Sequence, residues 1–287
     1  MTKGSSVSTP SLDRISIVVN TYQWPESLDV VLRALSEQSD DAFEVIVAED
    51  ASSVGTGEVV ATWTRVFGSR LRHVRQPDEG YRRAHIVNAA ALEARGDFVV
   101  FVDGDCVPRA TLVAAVRRAA LPGWWLASKR IKLSEPFSRR VLAGELPIWR
   151  WSALSWIARG GSETRRPGFF VSLRDRRRPW RPELPDFVPP YNAYGFFLGM
   201  WRADLERVNG WDARFVGWGN DDVDLAVRLG RLGLRCGWPG PGATLLHLWH
   251  QERRSPNDPG FLANEELLRE TIASERVEAV QGLRELS

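Results

Sequence analysis

Residues 98–102 (FVVFV) are apolar without interruption and pass directly into the acidic tripeptide DGD at 103–105. β-Branched and aromatic residues favour strands, and a strand that is apolar at every position is typically buried on both faces, as in a parallel sheet. Ligands bind at the carboxyl ends of the strands in such sheets. The run therefore predicts a central parallel strand that presents Asp103 and Asp105 at a ligand-binding edge.

Similar short runs occur earlier in the chain and alternate with helical patterns. Residues 15–19 stop at the polar turn NTY, and residues 43–47 end shortly before EDAS. A short strand near 71–74 and apolar residues at helical spacing complete the pattern, and the predicted helices cover 25–38, 57–67 and 84–94. Strand and helix alternating over roughly 90 residues predict a doubly wound α/β fold with a mostly parallel sheet flanked by helices.

The second half of the chain has weaker patterns. Residues 122–190 are rich in Trp, Arg and Pro, which predicts loops and short helices that form an excursion over the sheet. Beyond them we predict several further elements, which are a strand near 195–201, a short helix over 204–208, a GWG turn at 217–219 with a helix after it, a strand at 244–248 and an amphipathic helix over 264–286.

Composition narrows the class of protein. The 38 basic and 36 acidic residues give a formal net charge of only +2, which argues against a nucleic-acid-binding protein. No apolar run approaches the roughly 18 residues of a membrane span, and the first residues lack the apolar region of a secretory signal, so we expect a cytoplasmic protein. Cys106 and Cys236 lack the spacing of a zinc site and are interpreted as buried thiols.

Eight arginines lie between Arg159 and Arg181, where they outnumber Glu163 and Asp175 by six. Such a segment is either a solvated loop or a site for an anionic acceptor or a lipid surface. In the second case we expect contact with an anionic group of the acceptor or a peripheral contact with the inner face of the membrane.

The tripeptide DGD is one of two acidic clusters that can carry chemistry. Asp103 and Asp105 either belong to a loop that caps a helix or hold a hard divalent cation, with nucleotide phosphates completing its oxygen shell. His247 and His250 follow the last predicted strand and are candidate metal ligands.

The second cluster lies in the first turn of the helix that follows the GWG turn. Its members are Asp221, Asp222 and Asp224. The helix dipole alone favours acidic residues there, but a carboxylate at this position could also take a proton from a sugar hydroxyl. Asp224 lies two residues beyond Asp222, about 200° around the helix, so we expect it to matter less.

Six motifs occur in a characteristic order. They are NTY, EDAS, DEGYRRAHIVNAA, FVDGD, NGWDARFVGWGNDDVDL and HLWH. In this order, over residues 14–250, they resemble the GT-A glycosyltransferases of family 2. The GWG segment with its acidic residues also resembles the C-terminal signature of β-1,4-galactosyltransferases and polypeptide N-acetylgalactosaminyltransferases.

The resemblance implies a Rossmann-like GT-A fold made of a single domain with an acceptor-side excursion. We divide the chain into a disordered tail (1–13), a nucleotide-sugar-binding half (14–121), an acceptor-binding and catalytic half (122–255) and a C-terminal helical segment (256–287). The resemblance also implies a donor site of ten residues, in which Glu49 faces the uracil ring and Tyr22 stacks on it. The ten are Thr21, Tyr22, Glu49, Asp50, Arg82, Arg83, Asn88, Asp103, Gly104 and Trp218.

The resemblance also assigns the metal and the catalytic residues. Asp105 is the expected ligand of Mn²⁺ or Mg²⁺, with His250 as the histidine ligand and His247 as the alternative. Asp222 falls where inverting members keep the catalytic base, and Asp221 takes the place of a residue that binds the acceptor. The family often has Arg before the Asn of its third motif, whereas Val87 precedes Asn88 here. We therefore expect Arg82 or Arg83 to contact the diphosphate.

These residues together predict an inverting, metal-dependent glycosyltransferase. It would move a hexose or N-acetylhexosamine from a UDP-sugar to a hydroxyl of a glycan, glycolipid or other acceptor. One alternative is a sugar-phosphate nucleotidyltransferase, which needs a Gly-rich basic loop after the first strand, and residues 20–24 (NTYQW) are not such a loop. The other is a non-catalytic protein that binds nucleotide sugars or glycans in the manner of a lectin.

Overall fold

The computed structural model describes residues 12–50, 54–152, 155–156, 195–251 and 258–286. The first half forms four parallel strands, which are β1 (Ile15–Thr21), β2 (Phe43–Asp50), β3 (Leu71–Gln76) and β4 (Phe98–Asp103). Helices α1 (Pro25–Ser36), α2 (Val54–Phe67) and α3 (Arg83–Leu92) connect them. Their spatial order is β3-β2-β1-β4. The predicted doubly wound α/β arrangement is confirmed.

Three shorter strands extend this sheet beyond β4, so that it has seven strands. They are β6 (Trp124–Ala127), β8 (Phe197–Trp201) and β9 (Arg235–Gly237). β8 lies antiparallel between β4 and β6, and β9 runs parallel to β6 at the far edge. The sheet is therefore mostly parallel, with one reversed strand beside the acidic end of β4.

A second sheet of three short strands lies at the carboxyl end of β4. Its strands are β5 (Cys106–Val107), β7 (Arg130–Lys132) and β10 (Leu245–His247), with β10 in the middle. His247 is paired with Cys106 on one side and with Lys132 on the other. This small sheet thus brings the histidine motif beside the residues that follow Asp103.

Helices cover both faces of the large sheet. The remaining helices are α4 (Leu112–Ala119), α5 (Glu135–Leu142), α6 (Arg202–Arg207), α7 (Asp221–Arg231) and α8 (Pro259–Ala273). In β4, Phe98, Val100 and Val102 pack into a cluster with α1, α2, α4 and α5, whereas Val99 and Phe101 pack with α3, α6 and α7. The strand is therefore buried on both faces, as its uninterrupted apolar sequence predicts.

The predicted helix over 264–286 is wrong at both ends. Helix α8 begins earlier because the carboxylate of Asp258 accepts hydrogen bonds from the first free N–H groups of the helix. It ends at Ala273 because Arg231 donates to carbonyl oxygens in its last turn. The chain then folds back without regular structure and buries Leu283 in the core.

Residues 122–152 are more regular than predicted, since they form β6, β7 and α5. Strands of three and four residues are too short to show a recognisable period in the sequence. The segment from Arg159 to Arg181 and nearly all of the predicted tail lie outside the described residues. Within the described ranges, no helix has the length and apolar character needed to cross a membrane.

Candidate active site

The turn after β4 closes tightly over the end of β1. Asn20 is opposite Asp103 in the parallel register of the two strands. The N–H of Gly104 donates to the carbonyl oxygen of Asn20 at 2.7 Å. A Cβ on Gly104 would lie 2.9 Å from that oxygen, so a side chain does not fit there. The glycine of DGD is therefore what allows both aspartates to stand at the edge of the sheet.

Asp105 lies beside two histidines. One of its carboxylate oxygens, Oδ2, lies 3.2 Å from Nε2 of His250 and 3.5 Å from Nε2 of His247. Burial raises the pKa of Asp105, but the hydrogen bond with His250 and the charges of both histidines outweigh it and lower that pKa to about 2. Asp105 is thus ionised at every physiological pH and lies within reach of two imidazole nitrogens.

Cys106 belongs to the same group. Its Sγ donates to Oδ1 of Asp105 at 3.2 Å, and the potential ligand atoms of Asp105, Cys106 and His247 lie within 4.8 Å of one another. Burial raises the pKa of the Cys106 thiol well above its usual range. The sequence predicts a buried thiol, which is correct, but its place beside Asp105 depends on the pairing of β5 with β10.

The acidic helix α7 begins with a left-handed turn. Gly217, Gly219 and Asn220 have φ values of 81°, 107° and 70°, a region that suits glycine and asparagine. In the first helical turn, Asp222 accepts hydrogen bonds from the N–H of Gly195 at 2.6 Å and from the N–H of Val223 at 2.8 Å. Burial and the charge of Asp221 raise the pKa of Asp222 to about 7.

Asp224 faces away from this site. It is completely buried, and its Oδ2 lies 2.7 Å from Nη2 of Arg228, one turn further along α7. Thr271 of α8 donates a hydrogen bond to its other oxygen at 2.7 Å. This arrangement fits the orientation predicted from helical spacing, and it gives Asp224 a role in holding α7 against α8.

Arg83 joins the two acidic clusters. Its Nη1 lies 2.8 Å from Oδ2 of Asp221, and its Nε lies 3.6 Å from Oδ1 of Asp103. Nη2 donates to the carbonyl oxygen of Gly195 at 2.8 Å, and the guanidinium lies 4.3 Å from the centre of the Trp211 ring. The side chain is only 6% exposed, so these contacts use most of its surface. The end of β4 and the start of α7 therefore form one site.

Gly195 connects the site, although no sequence motif assigns it a role. Its N–H donates a hydrogen bond to Asp222, and its carbonyl oxygen accepts one from Arg83. Gly195 therefore links the candidate base to the arginine of the site. It is 112 positions from Arg83 in sequence, and no local pattern indicates that contact.

Tyr81 is a buried neighbour of the predicted uridine-binding residue Tyr22. The two rings meet edge-on with their centroids 5.7 Å apart, and burial strongly raises the pKa of Tyr81.

The acidic pair at the end of β2 is deeply buried. Glu49 lies 2.7 Å from Nε2 of His73 through its Oε2, and Asp50 accepts hydrogen bonds from Gln76 at 2.6 Å and from the N–H of Arg82 at 2.6 Å. Burial raises the pKa of Asp50. Both carboxylates thus have partners on the neighbouring strand or loop. Thr21, at the end of β1, is also buried.

Three further predicted donor-site residues have protein partners. The guanidinium of Arg82 lies 2.9 Å from Glu79 and donates to a backbone carbonyl at 3.2 Å. Asn88 is completely buried, and its amide exchanges hydrogen bonds at 2.8 and 2.9 Å with the backbone of Trp211. Trp218 is 45% exposed and stacks on Phe261 of α8 at 5.4 Å. In the described contacts, Asn88 therefore supports the turn before α7 instead of facing open space.

Two family models match the chain. Residues 16–120 match the model described as glycosyl transferase family 2. Residues 182–251 match the model described as the N-terminal domain of galactosyltransferase. The first range contains the DGD turn and Arg83, and the second contains the acidic helix and both histidines.

Similar proteins include glycosyltransferases. A validoxylamine A glucosyltransferase of Streptomyces hygroscopicus subsp. jinggangensis is 28% identical over 235 residues, which cover 77% of this chain and 52% of that protein. The chain thus spans about half the length of this curated relative.

Solved structures share the fold at low sequence identity. TarS 1–349 of S. aureus in complex with UDP is 16% identical with a TM-score of 0.62, and the match covers 95% of this chain and 68% of that one. The mannosyltransferase PcManGT of Pyrobaculum calidifontis in complex with GDP-Man and Mn²⁺ is 21% identical with a TM-score of 0.52, covering 91% and 73%. The chain therefore shares the GT-A fold of these glycosyltransferases, with residues 16–120 similar to glycosyl transferase family 2 and residues 182–251, which carry the acidic helix, similar to the galactosyltransferase domain.

Proposed function

We propose that this chain is an inverting, metal-dependent glycosyltransferase that moves a hexose or N-acetylhexosamine from a UDP-sugar to an acceptor hydroxyl. The observation that carries the proposal is the bridge formed by Arg83, which joins Asp103 at the end of β4 to Asp221 at the start of α7. Asp103 lies two residues before the candidate metal ligand Asp105, and Asp221 precedes the candidate base Asp222, so the bridge supports one site that holds both groups.

The group around Asp105 fits a divalent cation. A carboxylate that is always ionised and two imidazole nitrogens near its Oδ2 form a mixed oxygen and nitrogen donor set. Mg²⁺ prefers oxygen ligands and water, whereas first-row ions also accept imidazole. We therefore favour Mn²⁺ over Mg²⁺, held by Asp105 with His250 and His247. When bound, the ion would neutralise the negative charge that builds on the departing diphosphate.

Two buried oxygens that accept no hydrogen bond from the described residues suit the ribose of the donor. Oδ1 of Asp103 and Oδ1 of Asn20 are buried and have no hydrogen-bond partner among the described residues. They belong to residues that lie opposite each other on β4 and β1. Buried acceptors without partners are costly, and sugar hydroxyls would supply the missing donors.

Asp222 is the proposed general base. In its ionised form it removes the proton from the acceptor hydroxyl as that oxygen attacks the anomeric carbon of the donor. The bond between the anomeric carbon and the diphosphate oxygen breaks, and its electron pair leaves with UDP. A single displacement of this kind inverts the anomeric configuration. Asp221 would bind the acceptor, and Trp218 offers an exposed ring face against which a sugar can stack.

Uracil selectivity is proposed for the acidic pair and Tyr22. A carboxylate accepts a hydrogen bond from N3–H of uracil and repels bases that present an acceptor there. The bound nucleotides of the structural neighbours differ, because TarS was solved with UDP and PcManGT with GDP-Man. The base preference must therefore be measured, with UDP expected to outcompete ADP, CDP and GDP for binding in Mn²⁺.

The deciding experiment combines donor selection with product analysis. A thermal-shift screen of nucleotide sugars with and without Mn²⁺ identifies the donor, and NMR of the product gives the configuration of the new linkage. We expect UDP-sugars to stabilise the protein only with the metal and the linkage to be inverted. A retained configuration refutes the single displacement. Binding without hydrolysis or transfer would favour the non-catalytic, lectin-like alternative.

A further inference from the structure

We propose that Arg130, at the start of β7, binds the diphosphate of the nucleotide-sugar donor. This assignment rests on the proposed function, and it adds a residue that neither the motifs nor the family resemblance points to. It would supply the cation that the donor site lacks at Val87.

Arg130 lies on the same face of the small sheet as the candidate metal ligands. It pairs with Leu245 on β10, two residues before His247, and His247 in turn pairs with Cys106 on β5. Paired residues share a face of a sheet, and so do residues two positions apart on a strand. Arg130, His247 and Cys106 therefore share a face.

The charge of Arg130 acts directly on this centre. It lowers the pKa of both histidines and of Cys106, in each case as a smaller effect beside burial or the hydrogen bond with Asp105. It also opposes the increase that burial causes in the pKa of Asp103. A positive charge thus lies close to the place where the diphosphate would meet the metal.

The guanidinium of Arg130 packs on an aromatic ring and has no polar partner among the residues that the structure describes. It lies 4.6 Å from the centre of the Phe196 ring. No hydrogen bond or ion pair joins it to any other residue in the described parts of the chain. Phe196 follows Gly195, and its carbonyl oxygen accepts a hydrogen bond from the N–H of Asp103 at 3.3 Å. The donors of Arg130 are therefore unused, although the side chain is fixed against the frame of the site.

The other arginines predicted to contact the diphosphate are occupied. Arg83 is committed to Asp103, Asp221 and Gly195, and Arg82 to Glu79 and a backbone carbonyl. Arg130 differs from both because its planar fork has no hydrogen bond or ion pair with the described residues. Such a fork binds phosphate oxygens in pairs, and it does so more strongly than a neutral donor.

The test compares binding of UDP with binding of uridine. Isothermal calorimetry in Mn²⁺ measures the UDP affinity of the wild type, Arg130→Met, Arg130→Lys and the control Lys129→Met, while saturation-transfer NMR measures uridine. Lys129 precedes Arg130, and its Nζ lies 4.3 Å from the centre of the Trp238 ring, whereas the guanidinium of Arg130 lies over Phe196. The control therefore removes a positive charge from the same segment without touching the proposed subsite.

We expect Arg130→Met to weaken UDP binding roughly tenfold to hundredfold, as the loss of hydrogen bonds to a charged group does. Uridine binding should be unchanged, because it has no phosphate. Arg130→Lys keeps the charge but loses the planar fork, so its UDP affinity should lie between those of the wild type and Arg130→Met. Lys129→Met should match the wild type. If Arg130→Met fails to fold, the comparison of Arg130→Lys with Lys129→Met decides.

Two results would overturn the assignment while leaving the proposed function intact. They are wild-type UDP affinity in both Arg130 variants, and an equal loss of UDP and uridine affinity, which would indicate a structural role. A different result would refute the donor class itself. If the wild-type protein in Mn²⁺ bound neither UDP nor GDP, the proposed function would fail, and the role of Arg130 would fail with it.

Discussion

The two acidic clusters of the site consist of the same residue type but have opposite electrostatic environments. Asp105 lies between two imidazoles, and its pKa falls to about 2. Asp222 lies in a buried turn beside a second carboxylate, and its pKa rises to about 7. The first environment keeps a permanent negative charge, which suits a cation. The second makes the charge conditional, which suits a group that takes up a proton.

Burial raises the pKa of both aspartates, and the side chains that face each one decide the outcome. Asp105 has His247 and His250, whereas Asp221 and Asp222 share the influence of Arg83, which also serves Asp103. Asp224 is a third case, because it is completely buried and forms an ion pair with Arg228. One residue type thus supports metal binding, proton transfer and helix packing, according to its neighbours. Variants of each aspartate can test this division.

The largest effect is expected for Asp222→Asn. An amide cannot act as a base, so kcat should fall by about 10²- to 10⁴-fold while UDP affinity stays close to that of the wild type. Steady-state kinetics and calorimetry measure the two quantities separately. Asp221→Asn is the comparison variant, and it should act mainly on the acceptor KM. A near-normal rate for Asp222→Asn would show that the base lies elsewhere.

Asp224→Ala should act on stability and not on donor binding. Removing one partner of a buried ion pair leaves the other charge uncompensated, which costs about 3–5 kcal/mol of unfolding free energy. Glu266→Ala on α8 is the control, because its partner Arg269 lies on the surface and such pairs contribute at most about 1 kcal/mol. Urea unfolding measures both. Equal effects would mean that the pair in α7 is no more important than a surface pair.

Chelation should separate the metal-binding cluster from the catalytic one. A bound metal contributes several kcal/mol to the stabilisation of phosphate charge, so EDTA should weaken UDP binding by about a hundredfold. Asp105→Asn should have the same defect with Mn²⁺ present, whereas Asp222→Asn should not. Calorimetry with and without Mn²⁺ gives the comparison. Equal UDP affinity in EDTA and in Mn²⁺ would contradict the proposed role of Asp105.

The sequence predicts the positions of both clusters because each depends on a local pattern. An uninterrupted apolar run followed by DGD indicates a buried strand with carboxylates at its end, and β4 ends at Asp103 as expected. Likewise, the glycines around Trp218 and the acidic residues after them indicate a turn and a helix start. Such patterns involve only neighbouring residues, and so they can be read from one chain.

The environments of the clusters could not be predicted in the same way. Arg83 meets Asp221 across 138 positions of sequence, and Asp222 meets Gly195 across 27. Cys106 lies beside His247 only because a two-residue strand pairs with a three-residue strand. The predicted helix over 264–286 fails for the same reason, since Arg231 of another helix contributes to the end of α8. Long-range packing decides these contacts.

The pH dependence of turnover gives the smallest expected effect and tests the comparison most directly. Asp222 must be ionised to accept a proton, so kcat should increase with pH and reach a plateau above a pKa of about 7. At one unit below that pKa, about one tenth of the enzyme carries the ionised base, and the rate should be roughly tenfold lower.

Asp221→Asn sharpens this test. It removes the neighbouring negative charge that helps to raise the pKa of Asp222, so the increase in rate should move to lower pH. Wild type and variant are compared by kcat against pH at saturating donor, acceptor and Mn²⁺, where the titration of the free metal ligands has least influence. If the two profiles have the same midpoint, either Asp222 is not the titrating group or Asp221 does not control it. A shift of the midpoint to lower pH would show that Asp221 controls the ionisation of Asp222. The charge of Asp105, in contrast, stays constant over the same pH range.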